Sequence, residues 1–332
     1  MARILVTGGA GYVGSTCCRE LQAQGHYVEI VDDLSTGHAD AIPAGIPFHK
    51  VSIGDADALF GIFSNGRFDA VFHFAAKALI PESVTNPAAF FRVNVAEGFT
   101  LVEAMRKHNV RNLIFSSTAA VYGTPKTVPI PEDHPKNPVN SYGQSKLMFE
   151  EMLRWYASAY SWSVVVFRYF NACGGDAHWG ELHEPETHII PLLLQVASGR
   201  REVFHIYGTD YPTPDGTCLR DYVHVLDIAK AHILALKKMD RAGFHPYNIG
   251  TGESYSVRQI CKAAEQLTGN PIAIRESGRR AGDPDVLCAS PIRLMQELNW
   301  RPEHSGLQNI LNGAWAWEQA QAQRAAKVVA SR

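Results

Sequence analysis

The sequence predicts an α/β fold in which helices cover both faces of a parallel β-sheet. Its first half alternates short β-branched runs with longer helical patterns, and this alternation is typical of parallel sheets. Strands are predicted at residues 3–7, 27–31, 69–74, 110–115 and 163–168. Helices are predicted between them, notably at residues 12–24, 87–108 and 142–160.

The alternation weakens after residue 170, which predicts a second, smaller α/β domain. The stretch from Cys173 to Thr187 is rich in Gly, Pro and acidic residues and is predicted as a loop. We expect residues 1–170 to form the sheet domain and residues 171–332 to form mainly the second, ligand-binding domain. The segment near 217–240 is predicted as a strand and a capped helix that return to the first domain.

Composition and charge restrict the class of protein. The chain has 332 residues, 46% hydrophobic and 19% charged, which suggests about two globular domains. A net charge of -2 and the lack of a long basic run argue against nucleic acid or an acidic membrane as partner. Six cysteines without a Cys-x-x-Cys motif indicate a reducing compartment. With no signal segment and no long apolar run, we expect a cytoplasmic protein.

A glycine series joins the first strand to the first helix. Gly8, Gly11 and Gly14 would let backbone N–H groups approach a pyrophosphate, although their G-x-x-G-x-x-G spacing differs from the dehydrogenase G-x-G-x-x-G. Asp32 ends the second strand, where a carboxylate that binds an adenosine ribose is expected. A tight structural turn would explain the glycines alone. The whole order instead predicts a Rossmann-type doubly wound sheet, and Asp32 favours NAD over NADP because it would repel a ribose phosphate.

A phenol and an ammonium are placed one helical turn apart at Tyr142 and Lys146. A fixed positive charge lowers the pKa of a tyrosine, so this pair is a candidate for proton transfer. Tyr122 and Lys126 have the same spacing, but Pro125 lies between them and predicts a turn. Only the first pair is therefore expected on one helix face.

Three residues with hydroxyl side chains follow the predicted fourth strand, 110–115. Ser116, Ser117 and Thr118 would lie at the carboxyl edge of the sheet, where ligands bind in folds of this type. Ordinary turn chemistry is the alternative for these residues. Arg220 and Arg280 follow Gly-rich segments and could bind phosphate with their planar guanidinium groups, although surface arginines are often only solvated.

A metal site is not expected from the sequence. The chain has 14 histidines, and His183 and His188 flank two glutamates. Their spacing is not H-E-x-x-H, and Pro185 would break a helical presentation.

Assembled, these segments resemble the UDP-glucose 4-epimerases (UDP-galactose 4-epimerases) of the extended short-chain dehydrogenase/reductase family. The likeness runs from Arg3 to about Trp317. It is most specific in TGGAGYVG at 7–14, DDLSTG at 32–37, SYGQSK at 141–146, RYFNACGG at 168–175 and DYPTPDGTCLRDYVHV at 210–225. Related dehydratases and decarboxylases carry an acidic residue where this chain has Ala119 and Ala120.

The resemblance implies site residues by matching position. The catalytic set would be Thr118, Tyr142 and Lys146. Contacts to NAD would come from Gly8, Gly11, Tyr12, Val13, Gly14, Asp32, Asp33, Leu34, Ser35, Thr36, Gly37, Ser52, Ile53, Phe74, Ala75, Ala76, Asn94, Tyr142, Lys146 and Phe170. The UDP-sugar would be held by Thr118, Asn171, His188, Ile189, Tyr207, Arg220, Arg280, Asp283 and Leu287.

The implied reaction is interconversion of UDP-glucose and UDP-galactose with a retained NAD. Tyr142 would take the proton of the C4 hydroxyl, Thr118 would bridge the two oxygens, and Lys146 would bind the cofactor ribose and lower the tyrosine pKa. Two alternatives remain: a 4-epimerase for a UDP-N-acetylhexosamine or a UDP-pentose, and a non-catalytic NAD-binding regulator.

Two substitutions depart from the family pattern. Ser52 replaces a usual aspartate near the adenine, and Leu287 replaces an often bulky tyrosine. The smaller Leu287 would widen the pocket beside the sugar C2 substituent, so we expect acceptance of N-acetylated sugars in addition to glucose-type substrates.

A homodimer is expected from the resemblance, because this family commonly dimerises through helices corresponding to 87–108 and 142–160. Phe149, Met152, Leu153 and Tyr156 recur at helical spacing there. Such a stripe could equally belong to the core.

Overall fold

A computed structural model of the chain describes residues 1–280 and 282–330. The strands are β1 Arg3–Thr7, β2 Tyr27–Asp32, β3 Phe48–Lys50, β4 Ala70–His73, β5 Asn112–Thr118, β6 Ser163–Tyr169, β7 Asn171–Cys173, β8 Phe204–Tyr207, β9 Leu219–Arg220, β10 Tyr222–His224, β11 Gly243–Ile249, β12 Tyr255–Ser256, β13 Ile274–Ser277 and β14 Val286–Leu287. The α-helices are α1 Tyr12–Ala23, α2 Ala56–Asn65, α3 Ile80–Thr85, α4 Pro87–Phe91, α5 Gly98–Lys107, α6 Ser141–Tyr160, α7 Ile189–Ala197, α8 Val225–Ala235, α9 Val257–Thr268, α10 Ile292–Leu298 and α11 Leu307–Ala330.

The main sheet is parallel and has the strand order β11-β6-β5-β4-β1-β2-β3. The chain leaves β1 in one direction to β2 and β3, and in the other to β4, β5 and β6. The carboxyl ends of β1 and β4 therefore flank the crevice in which open α/β sheets bind ligands. The predicted Rossmann-type doubly wound sheet is confirmed. The sequence interpretation missed the edge strand β11, whose Gly243 and Pro246 are unusual inside a strand.

Helices pack on both faces of this sheet. On one face, Phe149 and Leu153 of α6 are fully buried in a cluster that also includes side chains of α2 and α5. On the other face, Leu21 of α1 and Ile228 of α8 share a second buried cluster. The predicted helix at 87–108 is present as α4 and α5 joined by a π-helical turn, Arg92–Glu97. In the part of the chain that the structure describes, no helix combines the length and hydropathy needed to cross a membrane.

The second half of the chain has its own core and also returns to the first. Side chains of α7, α9 and α11 form a separate buried cluster, which includes Leu193, Ile260 and Ile310. Helix α8 packs against α1, and β11 joins the main sheet at residues beyond the predicted 217–240 return. The predicted single strand before α8 is two short strands, β9 and β10, in different sheets. The boundary near residue 170 stays a prediction.

A buried ion pair joins α6 to the main sheet. The side chains of Arg168 on β6 and Glu150 on α6 are both 0% exposed, with Nη2 to Oε2 at 2.7 Å and Nε to Oε1 at 3.0 Å. The Ser117 hydroxyl donates to Glu150, and the Tyr122 hydroxyl accepts from Arg168 at 2.8 Å and donates to Asn248 at 2.7 Å. Every charged group in this network therefore has partners, which is the condition under which buried charges are tolerated.

Replacing Arg168 by Met should lower the free energy of unfolding by about 3–5 kcal/mol, because Glu150 would remain buried without its partner. The double variant Arg168→Met/Glu150→Met should recover much of that loss, since no buried charge is left. Urea unfolding followed by circular dichroism measures both. Arg154→Met, at a half-exposed pair on the same helix, is the control and should cost less than about 1 kcal/mol. If Arg168→Met and Arg154→Met lowered the free energy of unfolding equally, the stabilising role of the buried Arg168–Glu150 pair would be contradicted.

Candidate active site

The glycine loop lies between β1 and α1 at the carboxyl edge of the sheet. Gly8 has φ +74°, and a Cβ there would be 2.4 Å from the Ala75 nitrogen, whereas a Cβ at Gly14 would be 2.1 Å from the Gly8 oxygen. Packing therefore requires both glycines. At Gly11 a Cβ would approach nothing closer than the Gly8 oxygen at 3.4 Å, an ordinary contact. The fold itself does not require glycine at that position, and a side chain there would enter the space above the loop.

The first turn of α1 is open to an anion. Gly11 is its N-cap and supplies no side-chain hydrogen bond, and the turn contains no acidic residue. The N–H groups of such a turn carry a partial positive charge and need acceptors from outside the helix. Together with the space above Gly11, this arrangement fits the pyrophosphate of a dinucleotide.

Asp32 ties the glycine loop to the stretch after β2. Its Oδ2 accepts from the Ala10 N–H at 3.0 Å, and its Oδ1 accepts from the Leu34 N–H at 2.8 Å. Burial raises the pKa of this carboxyl, and the two backbone hydrogen bonds lower it in part. A carboxylate oxygen accepts two hydrogen bonds, so each oxygen keeps capacity for a ribose hydroxyl. The exposed members of this predicted stretch are Asp33, Ser35 and Thr36.

Asn94 holds the loop after β4 in place. It lies in the π-helical turn, a feature often found at functional sites. Its Oδ1 accepts from the Lys77 N–H at 2.8 Å, and its Nδ2 donates to the Lys77 carbonyl at 3.0 Å and to the Ser145 hydroxyl at 2.9 Å. Asn94 thus connects this loop, which contains the half-buried Phe74, Ala75 and Ala76, to α6.

The remaining predicted cofactor residues lie around the same edge. The Tyr12 hydroxyl donates to the Gly174 carbonyl at 2.6 Å, and Val13 packs beside the cluster between α1 and α8. The Ser52 hydroxyl, which stands in place of the family aspartate, donates to Glu97 at 3.3 Å. The buried Ile53 belongs to the core, Phe170 is 8% exposed, and a Cβ at Gly37 would lie 3.0 Å from Asp32 Oδ1.

The three predicted catalytic residues meet where α6 begins against the end of β5. Asn140 caps α6 by accepting from the Gly143 N–H at 2.8 Å, and a Cβ at Gly143 would lie 2.6 Å from the Ala120 oxygen. This close approach places Tyr142 beside Thr118, whose hydroxyl lowers the pKa of Tyr142.

Lys146 lies one turn further along the same helix face. Its Nζ donates to the Ser116 carbonyl at 2.9 Å and lies 4.8 Å from the Phe115 ring centroid. The second Tyr-Lys pair lacks this arrangement. Tyr122 follows a 3₁₀ turn, Ala119–Val121, and its hydroxyl is used in the Arg168 network.

Burial controls the protonation of this pair. It lowers the pKa of Lys146 to about 7, against the opposing effect of Glu150. It also raises the pKa of Tyr142, and the hydrogen bond with Thr118 offsets only part of that rise. Desolvation of the phenolate is thus the larger effect on the Tyr142 pKa, and the lowering of that pKa by Lys146 stays a prediction.

A second group of predicted residues meets beside β9. Arg220 forms an ion pair with Asp283, and the Arg280 guanidinium lies 3.9 Å from the centroid of the Tyr207 ring. Leu287 pairs with Arg220 in parallel register. Arg220 and Leu287 thus lie on the paired strands β9 and β14, Tyr207 ends β8 of another sheet, and Arg280 and Asp283 lie on the loop that joins β13 to β14.

Asn171 and Leu287 connect this group with the catalytic edge. The Asn171 Nδ2 donates to the Asp221 carbonyl at 2.9 Å, next to Arg220 in the chain. Leu287 packs against the buried cluster that contains Phe170 and Ala119, the residue after Thr118. The half-buried Leu287 thus lies between the arginines and the catalytic set.

His188 and Ile189 are placed differently from the other predicted substrate residues. Ile189 begins α7, and His188 is its N-cap but makes no capping hydrogen bond. The His188 ring instead contacts Glu181, part of a four-residue group with His183 and Glu186. The sequence interpretation found no such group because it looked for ligand spacing on a helix, whereas these residues lie on a loop. The contact of His188 and Ile189 with a nucleotide stays a prediction.

Asp221 is a structural residue that the sequence interpretation missed. It is fully buried, and its carboxylate accepts from the N–H groups of Thr251 at 2.8 Å, Gly252 at 3.0 Å and Ala289 at 3.1 Å. It thereby joins the loops after β11 and β14 to Arg220. Its place in the RDYVH segment is the only signal that could have drawn attention to it.

Lys146→Met should change how stability depends on pH. An unfolded lysine titrates near about 10.4, while burial lowers the pKa of Lys146 to about 7. Between these values the unfolded chain binds more protons, so the Lys146 contribution to the free energy of unfolding rises with pH. We compare the free energy of unfolding of the NAD-free parent with that of NAD-free Lys146→Met. The parent value minus the variant value should increase by about 2 kcal/mol from about pH 7 to about pH 9.

Urea unfolding at the two pH values tests this prediction. Lys262→Met, at an exposed position on α9, is the control and should follow the parent. Parallel pH profiles for the parent and Lys146→Met would show that burial does not disfavour the ammonium.

Comparison with known proteins supports the family and the fold. The chain matches the NAD dependent epimerase/dehydratase family over residues 4–250. A UDP-glucose 4-epimerase of Corynebacterium glutamicum is 47% identical over 319 residues, which cover 96% of each chain. The crystal structure of a UDP-glucose 4-epimerase from Brucella ovis in complex with NAD has a TM-score of 0.91 and 42% identity, covering 95% of this chain and 98% of that one.

A further solved structure agrees with these relatives. The UDP-glucose-4-epimerase from Stenotrophomonas maltophila, with bound NAD and formylated UDP-arabinopyranose, has a TM-score of 0.94 and 36% identity, covering 98% of this chain and 100% of that one. The resemblance seen in the sequence motifs is confirmed. The chain belongs to the NAD-dependent epimerase/dehydratase family.

Proposed function

We propose that the chain catalyses NAD-dependent epimerisation at C4 of a UDP-hexose and interconverts UDP-glucose and UDP-galactose. The observation that carries this proposal is the meeting of Thr118, Tyr142 and Lys146 at the same sheet edge as the glycine loop. This arrangement supports an acid–base group acting beside a bound dinucleotide, as a reversible oxidation of an alcohol requires.

The described residues fit NAD. The open N-terminus of α1 and the space above Gly11 suit the pyrophosphate, and Asp32 keeps acceptor capacity for the adenosine ribose. Lys146 would bind the other ribose with its remaining N–H groups. When bound, NAD would accept a hydride from C4 of the sugar and later return it.

Tyr142 would remove the proton of the C4 hydroxyl, with Thr118 bridging the two oxygens. Because burial raises the Tyr142 pKa, the phenol is protonated in the resting protein at neutral pH. Ionisation therefore needs added positive charge, which protonated Lys146 would supply together with the cationic ring of NAD when that is bound. Acid–base activity of Tyr142 is thus coupled to the presence of the cofactor.

The second group of residues would hold the UDP end of the substrate. Arg220 keeps N–H groups beyond those in its ion pair with Asp283, and Arg280 is held over Tyr207. Both guanidinium groups can therefore bind phosphate oxygens. Because UDP would be held at a distance from C4, the planar keto sugar could rotate in the site while the UDP end stays bound. The hydride could then return to the opposite face of C4.

Other activities have less support. A non-catalytic regulator would bind NAD without Thr118, Tyr142 and Lys146 placed together. A 4-epimerase for a UDP-N-acetylhexosamine or a UDP-pentose shares the chemistry and differs only in the sugar pocket. Leu287 packs against the cluster that contains Ala119 and Phe170, which supports a place for it in the wall of the sugar pocket, and the wider pocket stays a prediction. Comparing the initial rates of epimerisation of UDP-N-acetylglucosamine and UDP-glucose tests whether the pocket accepts an N-acetyl group.

We also propose a homodimer formed through the outer faces of α5 and α6. Phe149 and Leu153 are 0% exposed and belong to the core, so they are not available for an interface. Phe99 at 47%, Met148 at 43% and Trp155 at 73% are exposed apolar side chains of these helices, and the Tyr160 ring at the end of α6 is 45% exposed. Large apolar side chains grouped on a surface are typical of interaction sites.

A cytoplasmic location is proposed from the cysteines. All six are free and buried. Unpaired thiols are usual in reducing compartments.

Tyr142→Phe should lower kcat by roughly 10²–10⁴-fold with little change in KM, because the proton-transfer group is lost and UDP binding is not. A coupled assay that follows UDP-glucose formed from UDP-galactose measures both constants. Tyr160→Phe is the control, since that ring lies on the same helix and is 45% exposed. Near-normal turnover by NAD-loaded Tyr142→Phe would overturn the proposed role.

Trp155→Glu should shift the protein from dimer to monomer, because a charge would be buried in the proposed contact. Light scattering at micromolar concentration measures the mass. Ile292→Glu is the matched control, at an apolar position 59% exposed on α10, and should leave the dimer intact. A monomeric parent, or a dimer in both variants, would rule out this interface.

A further inference from the structure

The loop before α7 brings four metal-ligand side chains together. Glu181, His183, Glu186 and His188 each offer one ligand atom, and these atoms all lie within 4.8 Å of one another. The Glu181 and Glu186 side chains are only 5% and 8% exposed, whereas those of His183 and His188 are 28% and 54% exposed. Two buried carboxylates therefore face two imidazoles that solvent can reach.

The four groups converge on one point and do not form two separate pairs. His183 Nδ1 lies 3.3 Å from Glu181 Oε1 and 3.7 Å from Glu186 Oε2. His188 Nδ1 contacts the same Glu181 oxygen and lies 3.7 Å from Glu186 Oε1. Despite these short distances, His183 Nδ1 is buried and makes no hydrogen bond.

His188 Nδ1 and Glu181 Oε1 are hydrogen-bonded and would have to move apart, but the other separations are close to those in a tetrahedral metal site. Zinc binds imidazole nitrogen and carboxylate oxygen at about 2.0–2.2 Å, so adjacent ligand atoms in a tetrahedron are separated by about 3.3–3.6 Å. Small rotations of the side chains would close the wider separations. An unbonded ring nitrogen directed at a shared centre is also the arrangement that a metal ligand needs.

Neighbouring groups fix the two carboxylates. Glu186 Oε1 accepts from the backbone N–H groups of Thr187 at 2.7 Å and His188 at 2.8 Å, while Oε2 faces His183. The Trp317 ring N–H donates to the Glu181 carbonyl at 2.9 Å and holds that residue against α11. Such outer contacts orient the ligands of metal sites.

We propose that Glu181, His183, Glu186 and His188 form a binding site for one divalent transition-metal ion, with zinc as the best match to the ligand types. Four protein ligands make a closed site, which is typical of a structural role. The ion would fix the loop that leads into Ile189 and α7, beside the predicted nucleotide site. The alternative is a metal-free cluster in which protons on the imidazoles balance the two carboxylates.

Zinc binding by the full-length, untagged protein tests this proposal. After treatment with a chelator and buffer exchange, calorimetric titration with zinc chloride should give one ion per chain, and the ion should raise Tm. Cobalt(II) in place of zinc should give the visible absorption of a tetrahedral site. His183→Ala should weaken zinc binding by at least about 100-fold, because even loss of an outer contact costs ~10–100-fold.

Controls separate this site from chance binding by surface histidines. His178→Ala removes an exposed imidazole from the same loop region and should bind zinc like the parent. If His183→Ala lacks the native circular dichroism spectrum, Glu186→Gln replaces it, with the same expected loss. The proposal is overturned if the parent binds no zinc at micromolar concentration, or if parent, His178→Ala and the ligand variant bind it equally.

Discussion

The structure depends on burying one face of α6 against β5 and β6. That face carries Tyr142, Lys146 and Glu150 at successive turns. Lys146 bonds the Ser116 carbonyl, and Glu150 bonds Arg168 of β6, so both contacts fix the rotation of the helix about its axis. Since these groups are charged and buried, a rotated helix would leave them without partners at a cost of several kcal/mol. The position of Tyr142 beside Thr118 follows from this constraint.

Burial also shifts the pKa values of the proposed catalytic pair. It raises the pKa of Tyr142 and lowers the pKa of Lys146 to about 7, so both shifts oppose a phenolate beside an ammonium. Positive charge added at the same edge reverses this balance. The proposed proton transfer by Tyr142 would therefore require a positive charge beside the phenol. Burying Tyr142 and Lys146 also lowers the free energy of unfolding, and such a cost is common at functional sites.

Local patterns in the sequence were sufficient for much of the fold and for part of the site. The alternation of strands and helices, the glycines and Asp32 follow one another in a recognisable order along the chain. The interactions that were missed join distant segments or depart from regular patterns. Glu150 and Arg168 pair across 18 residues, and β11 contains Pro246 and occupies a sheet edge. The grouping of Glu181 with His188 arises on a loop, for which helical spacing gives no signal.

The central claim is that C4 is oxidised and reduced by one hydride that never leaves the site. The direct measurement uses UDP-galactose labelled with deuterium at C4, converted in ordinary water, followed by mass spectrometry and proton NMR of the UDP-glucose formed. Direct transfer to and from the cofactor predicts that the deuterium is retained at C4. Loss of the label to solvent would contradict the account, because it would mean that C4 is inverted by proton exchange.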